Sequence, residues 1–168
     1  MGNNYWAHLA RHALLVTTLL VGSAAHAYAD NPSMLKDFNF EKPAFMHDLP
    51  FAKDKLVLQV SSDNPQLWAL TLNNAQNVLD NLGQGNVRIV VVAYGPGLLM
   101  LLKNSAVSER LAAQDAEGIE FDACHVTMEA MAKKLGHMPV LAPSAVIVPG
   151  GVVRLMQLEK NGFAYVKP

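Results

Sequence analysis

Cys124 is the only cysteine in this chain, and it lies in "GIEFDACHVTMEAMAKKLG", where a β-rich run passes into a helical one. A thiol placed where a helix begins sits near unpaired N–H groups and the positive end of the helix dipole, which favours the nucleophilic thiolate. A plainer role fits the same residue. Free cysteine packs as a small hydrophobe, and Cys124, Met128, Met131 and Leu135 fall on one helical stripe. Position alone leaves both roles open. An odd cysteine in a chain that opens like an exported one adds weight to a working or intermolecular thiol.

Other chemistry around the thiol is less well supported by spacing. His125 is adjacent, but neighbouring side chains diverge, so it is a poor general base for Cys124. His47 and His137 are further candidates whose approach only a fold can decide. Cys124, His125, Met128 and Met131 are soft or borderline ligands suited to copper. Beyond the leader no C-x-x-C, H-x-x-x-H or methionine repeat is present, so no metal is expected. "YGPGL" (Tyr94 to Leu98) resembles part of a dinucleotide fingerprint, but Met100 stands where the third glycine belongs and Pro96 removes an N–H. "PGG" (Pro149 to Gly151) opening a helix is either a generic anion seat or a tight turn. No cofactor is expected.

These residues belong to a chain of 168, one domain's worth, 51% apolar and 16% charged, with a formal net charge of −1. No dense Lys/Arg cluster occurs, which argues against a nucleic-acid partner. Arg11, the apolar run "ALLVTTLLV" and the small residues of "GSAAHAYAD" form a secretory leader, residues 1–29, with cleavage expected after Ala27 or Ala29. The apolar run is about half of the roughly 20 residues a spanning helix needs, so no permanent membrane anchor is expected. Residues 30–54 carry three prolines and four phenylalanines without a sustained period. They read as an N-terminal arm docked on this domain or on a neighbouring subunit, or as a partly ordered tail.

From Lys55 to Pro168 the pattern is regular. "KLVLQVS", "VRIVVVAY", "GIEFDA", the segment Ala145 to Val148 and "FAYVKP" read as strands. Between them lie a helix opened by Asn64 and Pro65 and stopped by Gly83, helical runs through "LLMLLK" and "VSERLAAQDAEG", and the helices "VTMEAMAKKLG" and "GGVVRLMQLEKNG". Alternating strands and helices imply crossovers, hence a mostly parallel five-stranded sheet with helices on both faces. Ligands of such sheets collect at the carboxyl ends of the strands, where "SSDNP", "YGPGL", "ACHVT" and "VPGGV" make the turns. Apolar residues of the arm and of "LLMLLK" suit subunit contacts and core packing equally.

Taken in order, "LNNAQNVLDN", "VRIVVVAYGPGL", "GIEFDACHVTM" and "VPGGVVRLMQLEKNGFAYVKP" resemble the DsrE/DsrF-like family, in particular its small exported members. The likeness runs from about Lys55 to Pro168. Its most recognisable pieces are Cys124 with Thr127 three residues on, and Gly162 followed by Phe163 and Tyr165. The resemblance implies a flavodoxin-like three-layer α/β domain that assembles into homo-oligomers. It also implies that Cys124 occupies the position at which sulfur-relay members carry sulfur as a persulfide. The expectation is therefore a periplasmic sulfur carrier or sulfurtransferase-like protein, exchanging sulfur with a donor or acceptor protein or a small sulfur compound. Tyr94, Gly95, Gly97, Thr127, Gly150 and Gly151 would line its site. The alternative is a non-catalytic oligomeric binding module of the same fold with a structural cysteine.

Overall fold

The computed structural model describes residues 31–168; the expected export leader, residues 1–29, lies outside the described residues. Five strands form one sheet: β1 (Asp54–Val60), β2 (Val87–Ala93), β3 (Glu120–Cys124), β4 (Ala145–Val148) and β5 (Ala164–Val166). Four α-helices join them: α1 (Pro65–Leu82), α2 (Ser108–Ala116), α3 (His125–Leu135) and α4 (Gly151–Lys160). The order across the sheet is β4-β3-β2-β1-β5, and every neighbouring pair is parallel. None of the helices described is long and apolar enough to cross a membrane.

Handedness dictates where the helices go. From β1 through β2 and β3 to β4 the chain steps one strand at a time in one direction, so right-handed crossovers place α1, α2 and α3 on the same face. From β4 it must return past three strands to β5, which places α4 on the opposite face. The strand alternation agrees. Leu56, Leu58, Val60, Ile89, Val91, Phe121 and Ala123 pack with Trp68 and Leu72 of α1, Leu111 of α2 and Met128 of α3. Val57, Val90 and Val92, one residue out of step, pack instead with Leu155 and Leu158 of α4.

One short helix is too little to cover the second face of five strands. The N-terminal arm supplies the remainder. Met34 donates its N–H to the Ile147 carbonyl at 2.8 Å, Ile147 donates to the Pro32 carbonyl at 2.8 Å, and the two segments bridge in parallel along the free edge of β4. The Met34 side chain packs on Val146 and Val148. Further on, Phe45 joins the α4 cluster and stacks on Phe163, ring centroids 5.8 Å apart. At these contacts the arm docks on its own domain.

α1 begins and ends on the residues that its capping pattern predicts. Asn64 accepts from the Gln66 N–H at 2.9 Å, and Gly83, at φ +88°, donates to the Leu79 carbonyl. The helical run read through "LLMLLK" takes the tighter form: residues Gly95–Leu101 wind as a 3-10 helix. The chain there runs hard against β1: a Cβ on Gly97 would lie 2.3 Å from the Val60 carbonyl oxygen. Leu98, Met100 and Leu101 are fully buried, so for these three the core and not a subunit contact accounts for their apolarity.

Candidate functional site

In an open α/β sheet a crevice forms at the carboxyl edge wherever adjacent strands send their helices to opposite faces. Here that place lies between β3 and β4, since α3 packs on one face and α4 on the other. Cys124 is the last residue of β3, and its register partner is Val148, the last of β4. Strand alternation puts Cys124 in one row with Glu120 and Asp122 on the α4 side. The same residue occupies the N-cap position of α3, and Gly150, two residues beyond Val148, is the N-cap of α4. Among the described residues neither helix start is capped by a side chain. The thiol therefore lies where two helices begin, each presenting a positive dipole end.

Access to it is narrow. Cys124 is 5% exposed, is unpaired, and belongs to none of the three hydrophobic clusters among the described residues. The helical stripe expected to enclose it does not continue: Met128 is buried, but Leu135 is 51% exposed. The histidines are engaged elsewhere. His125 lies 3.9 Å from Glu129, His47 pairs with Asp115 at 3.0 Å, and His137 Nδ1 meets the Met138 carbonyl at 2.9 Å.

The other expected site residues divide into two groups. Thr127, in the first turn of α3, accepts from the Gly95 N–H at 2.9 Å and ties the end of β2 to the start of α3. These two, with Pro96, Leu99, Ala130, Met131 and Lys134, line an open groove of about 310 Å³. Gly97 and Gly151 instead serve close packing. Gly97 presses on the end of β1, and a Cβ on Gly151 would lie 2.7 Å from Cβ of Tyr94, whose half-buried side chain covers it. Gly150 has ordinary room, with only Val153 near. Tyr94 thus acts as the post against which α4 begins.

The spacing of residue types had not pointed to the polar centre on the same face of β3. Arg154 of α4 and Asp122 are 0% exposed and Glu120 is 2% exposed. Arg154 Nε donates to Asp122 Oδ2 at 2.8 Å, Nη2 to Glu120 Oε1 at 2.9 Å, and Nη1 to Gln157 Oε1 at 2.7 Å. The arm closes the set. Arg154 Nη2 also donates to the Ala44 carbonyl at 3.0 Å, the Met46 N–H donates to Glu120 Oε2 at 2.7 Å, and Gln157 Nε2 donates to the Asn39 carbonyl at 2.6 Å. Burial, and then the neighbouring charge of Asp122, pushes the Glu120 carboxyl up to about 8. Burial raises Asp122 as well, opposed by the attraction of Arg154. One signal for this centre was present in "EFDAC": two acids in alternate positions of a strand covered on both faces require a buried cation.

Fold and crevice together define an all-parallel α/β domain of flavodoxin-like architecture, with its one thiol at the switch between strands β3 and β4. Among solved structures it is similar to the protein of unknown function MTH1491 from Methanobacterium thermoautotrophicum, at a TM-score of 0.63 and 27% identity, over 69% of this chain and 100% of that one. No family model and no curated protein matches the chain.

Proposed function

We propose that this chain is an exported, periplasmic sulfur carrier of the DsrE/DsrF-like kind, holding sulfane sulfur as a persulfide on Cys124. The observation that supports the reading is the place of its one thiol: the switch crevice, between two uncapped helix starts. In the loading step the Cys124 thiolate attacks the sulfane sulfur of a polysulfide or of a donor persulfide, R–S–S⁻. The Cys124 S–S bond forms as the donor S–S bond breaks, and the donor leaves as a thiolate or, from polysulfide, as the chain shortened by one sulfur. An acceptor thiolate then attacks the outer sulfur and releases the Cys124 thiolate, so each S–S bond made balances one broken. The positive dipole ends of α3 and α4, which begin at this crevice, favour the anion. A thiol 5% exposed suits attack on an ion of a few atoms better than on a bulky reagent. Exposed Val126, Val152, Val153 and Met156 on the two flanking helices give a second copy of the chain an apolar surface to cover in a homo-oligomer.

The test is incubation of the mature protein with polysulfide and intact-mass measurement, with Cys124→Ser as control. Mass steps of about 32 Da, one sulfur each, that need Cys124 support the carrier. The burial of Cys124 favours a second reading, a non-catalytic module in which the thiol only packs. That reading predicts an inert thiol and a small change in stability for Cys124→Ala.

A further inference from the structure

The arm is fastened at a cluster whose charges do not balance: Glu120 and Asp122 share the single guanidinium of Arg154. Both oxygens of Glu120 and one oxygen of Asp122 have donors, but Asp122 Oδ1 is buried with no partner among the described residues. An unpartnered buried carboxylate oxygen beside a second carboxylate is the arrangement that one shared proton resolves. A carboxyl O–H on Glu120 satisfies Asp122 Oδ1 and removes the surplus negative charge together. We propose that Glu120 and Asp122 share one proton, and that this proton latches the arm to the sheet. When the carboxyl O–H gives its proton to solvent hydroxide, a second full negative charge remains in the buried site. Water reaches that charge most readily by parting the Ala44, Met46 and Asn39 contacts, which are the arm.

The neighbouring charges leave the imbalance in place. Arg154 faces the pair from α4 and is already shared. Arg88 of β2 lies within electrostatic reach of Glu120, but it also faces Asp48 of the arm, and its N–H groups go to the His47 and Leu49 carbonyls. Cys124 ends the same strand row. Two further ion pairs hold the arm away from this cluster, His47 with Asp115 and Lys160 with Glu41.

Amide exchange followed against pH, corrected for the intrinsic rate, reads the latch at the Met46 N–H and along residues 39–48. In the wild type, protection should fall by about tenfold per pH unit from pH 5 towards pH 8, the slope of one linked proton. Asp122→Asn places an amide N–H where the shared proton stood and lowers the charge by one, so the arm should stay protected with that slope removed. The infrared carbonyl band of a protonated carboxyl should be present in the wild type near pH 6 and absent from Asp122→Asn. A wild-type slope of zero overturns the latch. So does an equal slope in Asp122→Asn, which would place the linkage outside the pair, and so does a missing carboxyl band.

Discussion

Cys124 and Val148 form the last register pair between β3 and β4, and beyond them the chain turns to opposite faces of the sheet. That divergence makes the crevice, and it follows from strand order: three crossovers advance and the fourth returns. A thiol one residue earlier would point into the α1–α3 core. One residue later it would ride on the first turn of α3.

Gly97→Ala tests the seam between the 3-10 segment and β1. Its Cβ would meet the Val60 carbonyl oxygen at 2.3 Å, and backbone cannot swing aside as a side chain can. A loss of about 2–3 kcal/mol is expected in urea unfolding, the upper part of the overpacking range. Gly95→Ala, where space is open but φ is +53°, should lose about 1 kcal/mol from conformation alone.

Thr127→Val keeps shape and removes the oxygen that accepts from the Gly95 N–H. The partly buried N–H is left without that acceptor, so stability should fall by about 1–2 kcal/mol. Thr127→Ser, which restores the acceptor, should recover most of the loss in the same assay.

Arg154→Met removes the guanidinium that bonds both buried acids. Destabilisation by about 3–5 kcal/mol is expected near neutral pH. The arm should lose amide protection first, because three of its backbone groups are held by this cluster or by Gln157 beside it.

Stability against pH has a definite sign. In the fold the Glu120 carboxyl is raised from 4.5 to about 8, so the folded chain holds this proton more tightly than the unfolded chain. Its contribution is complete below about pH 4.5 and is lost as the pH rises through about 8. Urea midpoints should therefore decline across that window in the wild type, and Asp122→Asn should flatten the decline.

Much of the scaffold was legible because local signals and tertiary packing agree. β4 spans Ala145–Val148 as read, and the Asn64, Pro65 and Gly83 signals bound α1. The near-continuous apolar run of β2 suits its place in the sheet, covered on both faces. Agreement stopped where a distant partner decides. "GPGLLML" has helical composition, but contact with the end of β1 winds it as a 3-10 helix. Arg154 lies more than 30 positions from its acids in a helix otherwise easily read as amphipathic, so no local pattern joins them. Within the candidate site, Gly95 and Thr127 bond each other beside a groove, while Gly97 and Gly151 prove to be packing glycines. A glycine that leaves room for a ligand and one that leaves room for its own backbone look alike in a sequence.

The most direct measurement is the intact mass of the mature protein after polysulfide treatment. The account predicts additions of about 32 Da, confined to Cys124, reversed by a thiol acceptor and absent from Cys124→Ser. A Cys124 thiol that stays unmodified while the fold is intact would contradict it.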